Sequence, residues 1–287
     1  MRILITGGRG QLGRSLARAL AAHAVAAPGH DELDVADEAS VRAAFERARP
    51  DIIIHAAALT DTNRCEREPD AADAVNARGT ERVARACAAA GARMIAVSTN
   101  EVYDGAKRTP YTEDDATAPL NAYGRSKLRG EELARAALDD LLVVRTSWLY
   151  GAGHLNFAEK VLAAAGSGRA LSFVADETAA PTYTDDLASA IAALIEKRAP
   201  AGVYHLANEG EASRWEWATE VLRLAGRDVP VRRVTTAELR ANGYSGPAKP
   251  PYSVLANTRA AALGVTLRPW REALADYMRQ RAAAATA

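Results

Sequence analysis

The 287-residue chain (30.4 kDa) is 48% hydrophobic, enough for a core that folds alone, and its 36 basic and 36 acidic side chains cancel, leaving no general field toward nucleic acid or an anionic membrane. Its two cysteines, Cys65 and Cys87, form no CxxC and its five histidines no HxxxH or HExxH pair, so reduced thiols and no structural metal are expected. The opening apolar run meets Gly7 too early for a signal-peptide core, and no stretch reaches the roughly 18 apolar residues of a membrane span, which predicts a soluble, cytoplasmic protein.

Residues 2–6 read as a short buried strand, followed by a glycine loop and a helix over 11–22 whose Leu12, Leu16, Ala19 and Leu20 recur at helical spacing. The alternation continues with strand 25–27, helix 38–48, strand 51–55, helix 70–90, strand 93–98, helix 121–137 and strand 141–145. Strands apolar on both faces and separated by helices predict an α/β fold, a Rossmann-like, doubly wound parallel sheet covered on both sides. Beyond Arg145 the pattern loosens into a helix over 157–165, a strand over 171–174, a helix over 185–196 capped by Asp185 and a strand over 204–206. From Arg214 onward it reads as helices, a turn at Gly246-Pro247, the Pro250-Pro251 loop and a last helix from Trp270, with an Ala-rich tail after Arg281 that should fray. The expected organisation is an NAD(P)-binding domain over 1–150, joined by later elements from about 180–206, and a smaller interleaved substrate-binding lobe over 151–287. The polar, Pro-containing stretch 105–119 reads as a long loop of the kind that forms lids.

Gly7, Gly10 and Gly13 give a GxxGxxG spacing directly after a strand and opening a helix. Glycine there lets the backbone turn tightly and approach a pyrophosphate at the positive end of the helix, with Arg9, Gln11 and Leu12 in the same loop. The second strand ends in Ala26-Ala27-Pro28-Gly29-His30 without the carboxylate that holds a ribose 2′-hydroxyl, the next acid being Asp31. Arg9 is then placed to meet a 2′-phosphate, or stands as a solvated loop arginine; Asp34 and Val35 are placed at the adenine, or Asp34 serves as a turn residue. NADPH is the expected cofactor, with NADH as the alternative.

With 9 tyrosines and only 5 lysines in the chain, chance supplies well under one YxxxK pair, yet there are two. Tyr103-x-x-x-Lys107 contains Gly105, begins no apolar periodicity and runs toward Pro110, so its spacing aligns nothing. Tyr123-x-x-x-Lys127 follows Asn121, a suitable N-cap, and leads into a helical pattern that puts both side chains on one face. An ammonium near a phenol favours the phenolate, and a fall of two to three pKa units needs roughly 3 to 4 kcal/mol, the scale of one close lysine helped by a nicotinamide's positive charge. Ser98-Thr99-Asn100-Glu101 follows a strand at the carboxyl edge of the sheet, where Thr99 can donate to a carbonyl oxygen beside Tyr123.

These motifs, with His55-Ala56-Ala57-Ala58 and with Asn76 in Val75-Asn76-Ala77-Arg78-Gly79-Thr80, resemble those of the extended short-chain dehydrogenase/reductases. Arg145-Thr146-Ser147-Trp148-Leu149-Tyr150-Gly151, Asn156-Phe157, Ala180-Pro181-Thr182, Gly202-Val203-Tyr204-His205-Leu206 and Tyr252-Ser253-Val254-Leu255 extend the likeness to the dTDP-4-dehydrorhamnose reductase family over nearly the whole chain. That resemblance implies NAD(P)H-dependent reduction of the C4 ketone of a dTDP-6-deoxy-4-hexulose to dTDP-L-rhamnose. It implies Tyr123 as proton donor, Lys127 as ribose anchor and pKa tuner, and Thr99 as carbonyl partner. It further implies cofactor contacts from Ala56, Ala57, Ala58, Asn76 and Ser98, and substrate contacts from Thr99, Asn100, Glu101, Trp148, Asn156 and Lys249. A dTDP-sugar is the expected partner, with no nucleic acid and no membrane, and a homodimer is the assembly carried forward. Two other readings stay open: a dTDP-glucose 4,6-dehydratase, whose acid-base pair Asn100-Glu101 matches only in part, and a non-catalytic binding subunit of the same fold.

Overall fold

The computed structural model describes residues 1–166 and 170–286. In chain order the first half runs β1 (Arg2–Thr6), α1 (Gln11–Ala19), β2 (Ala24–Ala26), α2 (Glu38–Ala48), β3 (Ile52–His55), α3 (Thr62–Arg67), α4 (Pro69–Ala72), a π-helical segment (Asp73–Arg78), α5 (Gly79–Ala90), β4 (Arg93–Thr99), a 3₁₀ turn (Asn100–Val102), α6 (Ala122–Ala137) and β5 (Leu141–Thr146). The second half holds β6 (Leu149–Tyr150), α7 (Phe157–Ala165), β7 (Leu171–Val174), β8 (Thr178–Ala179), β9 (Thr182–Tyr183), α8 (Thr184–Glu196) and β10 (Gly202–His205). It ends with β11 (Ala212–Ser213), α9 (Arg214–Leu224), β12 (Val231–Val234), α10 (Thr236–Ala241), α11 (Thr258–Ala262) and α12 (Trp270–Thr286).

Six parallel strands form the central sheet in the order β2-β1-β3-β4-β5-β10. Successive residues of a strand face opposite ways, so Ile3 and Ile5 join α1 and α8 through Leu16, Leu187 and Ile191, while Leu4 joins α2 and α5 through Phe45, Val83 and Cys87 on the other face. Both faces are covered, which is why β3 and β5 are wholly buried and open with unbroken apolar runs, polar residues coming only at their carboxyl ends with His55, Arg145 and Thr146. The chain winds outward in both directions from β1, toward β2 on one side and β3 on the other, and this reversal opens a crevice at the carboxyl ends of the strands. Three two-stranded ribbons, β7 with β12, β8 with β11 and β6 with β9, pack with α7, α9 and α12 around a second core of Tyr150, Val161, Trp217, Trp270 and Tyr277.

Several local expectations are corrected. The helix over 70–90 is preceded by α3, a polar turn of which only Cys65 is buried, and it passes through the π-helical segment, whose extra residue turns both Asn76 and Ala77 inward. Asp185 does not cap α8. The helix begins at Thr184, and Asp185 in its first turn instead accepts hydrogen bonds from Ser15 and Arg18, both at 2.5 Å. The loop 105–119 is a strap and not a lid: Tyr111 stacks on Tyr103 with ring centroids 4.2 Å apart, and buried Glu113 accepts the backbone N–H groups of His205 and Arg259. The alanine-rich tail continues α12 through Thr286, as alanine's helix propensity favours.

Candidate active site

Over the carboxyl ends of β1, β3, β4 and β5 lies a cavity of about 740 Å³. Its floor begins at Gly7, whose φ of +69° is left-handed and whose missing Cβ leaves room for the backbone of Ala57 in the loop after β3. At Gly13 a Cβ would fall on the Gly7 carbonyl, so glycine lets α1 sit directly under the loop. The first helical hydrogen bond of α1 is Arg14 N–H to Gly10 O, at 3.0 Å, which leaves the N–H groups of Gln11, Leu12 and Gly13 without a helical partner at the positive end of the helix. No side chain caps them, and Gln11 Oε1 is a buried acceptor with no partner. These open N–H donors fit a dinucleotide pyrophosphate. Ala56, Ala57, Ala58, Asp34 and Val35 line the same cavity.

Arg9 is not a free cation. Its Nη1 donates to both oxygens of Asp31 at 2.9 Å and its Nη2 to Glu32 at 2.9 Å. The acids just past the second strand fold back onto the loop, so a 2′-phosphate must compete with two carboxylates for this guanidinium.

At the far wall, β4 ends on Thr99, whose Oγ1 accepts the Glu101 N–H at 3.2 Å and caps the 3₁₀ turn. Asn121 caps α6 by accepting the Gly124 N–H at 2.9 Å. Any Cβ at Gly124 would collide with the Glu101 carbonyl, so the helix approaches the turn closely and brings Tyr123 beside Thr99. Tyr123 and Lys127, four residues apart, both face the cavity together with Ser98 and Thr99. Lys127 Nζ donates to the Val97 carbonyl at 2.8 Å. Burial lowers its pKa to about 8, with Glu131 pulling the other way.

In the chain alone, burial raises the Tyr123 pKa, the Glu101 carboxylate adds to the rise, and the Thr99 hydroxyl opposes them. The Lys127 ammonium is directed at Val97, and without a nicotinamide's charge the Tyr123 phenol holds its proton at neutral pH.

Glu101 is 8% exposed and is held by Lys249 Nζ at 2.8 and 3.0 Å and by Asn121 Nδ2 at 2.7 Å. Asn100 donates through Nδ2 to Ser253 Oγ at 2.7 Å and accepts from Thr99 Oγ1 at 3.3 Å, so it orients the threonine from behind. Trp148 takes a left-handed φ of +43°, rare for a bulky residue, and turns its ring toward the cavity. The Arg214 guanidinium lies 3.6 Å from the centre of that ring. Burial lowers the Arg214 pKa to about 10 against the pull of Glu177 and Glu101. Arg214 escaped the sequence reading because nothing in its local pattern distinguishes it from the chain's many other arginines. Arg214 and Lys249 also line a side recess of about 250 Å³ with Phe157, Phe173, Leu239 and Tyr244.

Two predicted contacts stand outside the cavity. Asn76 is fully buried, with Oδ1 accepting the Leu59 N–H at 2.8 Å and Nδ2 donating to Leu59 O and Ser126 Oγ at 3.0 Å. It clamps the loop after β3 to α6. Asn156 caps α7 and donates to Gly151 O and Tyr277 Oη, both at 2.9 Å. A groove of about 810 Å³ between α2 and α5 shares no residue with this cavity.

The family model described as the RmlD substrate binding domain matches residues 1–283. The chain belongs to the RmlD family. It is 39% identical over 285 residues to the spore coat polysaccharide biosynthesis protein SpsK of Bacillus subtilis, covering 99% of each chain. It is 42% identical over 281 residues to the dTDP-4-dehydrorhamnose reductase of Mycolicibacterium smegmatis, covering 96% of this chain and 84% of that one. Among solved structures, the dTDP-4-dehydrorhamnose reductase of Bacillus anthracis in complex with NADP superposes with a TM-score of 0.90 at 33% identity, over 97% of this chain and 98% of that one. The RmlD relatives thus share the whole architecture, both the doubly wound sheet and the second core.

Proposed function

We propose that the protein reduces the C4 ketone of a dTDP-6-deoxy-4-hexulose with NADPH, giving dTDP-L-rhamnose. The observation that carries this reading is the convergence of Thr99, Tyr123 and Lys127 on one cavity wall, opposite an open helix N-terminus in a member of the RmlD family.

A bound dinucleotide would supply a hydride; the free N–H groups of Gln11, Leu12 and Gly13 would hold its pyrophosphate, and Lys127, seated on the Val97 carbonyl, would anchor its ribose. As negative charge grows on O4, the Thr99 hydroxyl donates a hydrogen bond to it and the Tyr123 phenol transfers its proton. A phenol whose pKa is raised suits this direction, because it enters the reaction protonated and still meets a stronger base in the nascent alkoxide. Trp148 packs on the hexose, Arg214 and Lys249 face the substrate's phosphates, and the recess beside Phe157 and Tyr244 takes the nucleoside.

Elimination of water in the manner of a dehydratase needs both an acid and a base, and Asn100 can serve as neither while its amide is tied to Ser253. The intact pair of Tyr123 and Lys127 argues against a purely regulatory subunit. The same reading makes the protein a cytoplasmic enzyme and a homodimer; light scattering is expected to give a mass near twice 30.4 kDa. The deciding test adds NADPH and the dehydrated, epimerised dTDP-sugar to the protein and follows the nicotinamide absorbance. Cofactor oxidation with formation of dTDP-L-rhamnose is expected, and no oxidation would overturn the reading.

A further inference from the structure

One buried acid beneath the site takes no part in the chemistry just described. Glu131 is 2% exposed and lies one turn beyond Lys127 on the same face of α6. Its Oε1 accepts from Ser98 Oγ at 2.5 Å and Arg145 Nε at 3.1 Å, and its Oε2 from Arg145 Nη2 at 2.6 Å and Arg135 Nη2 at 3.4 Å. Ser98 and Arg145 are register partners across β4 and β5. Ser98 also stands between Val97, whose carbonyl seats Lys127, and Thr99. A single carboxylate therefore ties the last residues of β4 to the helix that carries Tyr123 and Lys127. Arg145 is locked in turn, donating through Nη1 to Tyr103 Oη at 2.8 Å, which also meets His205 Nε2 at 2.8 Å.

We propose that Glu131 is a positioning residue of the reduction, fixing Thr99 opposite Tyr123 through Ser98 and Arg145 and supplying the counter-charge to the buried Lys127. Burying a carboxylate without partners is costly, so the bonds from Ser98 and Arg145 that satisfy Glu131 also define where those groups sit, while its charge acts on Lys127 through space.

The groups around Lys127 set the sign of the effect. Glu131 opposes the loss of its proton. From β3, His55 is neutral, since burial presses its pKa to about 3 between the hydroxyls of Thr6 and Thr80. Tyr123 on α6 is neutral, and Arg145 from β5 is cationic but masked by Glu131. Removing the carboxylate leaves burial unopposed and unmasks Arg145, so Lys127 sheds its proton at lower pH.

The inference rests on the reductase reading, and its test separates the two. Glu131→Gln in the full chain is expected to lower kcat by about 10- to 100-fold, the scale of losses that follow from misplacing a catalytic group by an ångström or so. The KM for NADPH should change much less, and the basic limb of the pH–rate profile should move to lower pH by a unit or more. Glu131→Asp, which keeps the charge, should restore the position of that limb. Lys127 titration is read independently of turnover by NMR of carbon-13-labelled lysine, where 5 signals suffice for the whole chain. Its midpoint should fall in Glu131→Gln.

Because the single variant leaves Arg145 buried and unpaired, Glu131→Gln/Arg145→Met is measured beside it, and folding of both is checked by circular dichroism. A merely structural role would lower Tm and leave both the limb and the lysine midpoint in place. A folded variant with an unchanged midpoint and with kcat near wild type would overturn the proposal. An inactive wild type with a midpoint that still depends on Glu131 would overturn the reductase reading alone.

Discussion

The two ends of the cavity are built by opposite means. At the glycine end, consecutive residues from Gly7 to Gly13 present backbone N–H groups, and the side chains matter chiefly by being absent. At the sugar end, Glu101, Trp148, Arg214 and Lys249 come from segments far apart in the chain, and their charges are paired with one another before any substrate arrives. The first end is a local property of a strand-to-helix turn. The second exists only because the second core docks β6 and α9 against the sheet.

The contrast is broken most sharply at its midpoint. Tyr123→Phe removes one proton and little volume, so turnover should fall about 10²- to 10⁴-fold with Tm and NADPH affinity preserved. Tyr103→Phe should do the reverse, costing stability because it strands the buried donor of Arg145 while leaving the reacting groups untouched. Equal catalytic losses from the two would dissolve the distinction between the motifs.

Arg214→Ala tests the sugar end alone. A charged hydrogen bond contributes about 1.5 to 3 kcal/mol, so the KM for the dTDP-sugar should rise about 10- to 100-fold with NADPH binding unchanged. A matching loss of NADPH affinity, measured by fluorescence titration, would mean that the two ends are not separate.

Acid should loosen the sheet before it touches the glycine loop. His55 and His205 are buried and neutral in the fold, their pKa values lowered by burial to about 3 and about 4 from an ordinary 6.5. The unfolded chain binds more protons below pH 6.5, so stability is full above that value and declines as pH falls toward 4, by up to about 1.4 kcal/mol per unit for each histidine. Denaturant midpoints at pH 7 and pH 5 measure it, and equal midpoints would contradict the assignment.

The smallest effect belongs to the glycine end. Asp31→Asn/Glu32→Gln should release Arg9 and raise the preference for NADPH over NADH by about 1.5- to 5-fold, the range of an exposed ion pair. Kinetics with both cofactors decide it.

What was legible in the sequence follows the same division. The glycine turn, the apolar strands and the Tyr123-to-Lys127 spacing are local, contiguous and periodic, so residue types alone place them. Resemblance makes Asn76 and Asn156 ligand contacts by residue identity, whereas the hydrogen-bond partners of their amides in the folded chain, Leu59 and Tyr277, come from loops and helices packed from elsewhere. Arg9 looked free because nothing local shows that Asp31 and Glu32 fold back onto it. The spacing of Tyr123 and Lys127 puts both on the cavity wall, but the lysine's aim at Val97 depends on the register of β4 against α6, which no local pattern carries. Arg214 carried no sequence signal, because its partners Trp148 and Glu177 meet it only in the folded lobe.

The central claim is that hydride reaches C4 while Tyr123 protonates O4. Its most direct test uses NADPH deuterated at the transferable position of the nicotinamide, with the 4-keto dTDP-sugar as acceptor, and locates the label in the product by NMR. The account predicts one deuterium at C4 of a dTDP-6-deoxyhexose, formed by wild type and lost in Tyr123→Phe. Label elsewhere in the sugar, or undiminished labelling by the phenylalanine variant, would contradict it.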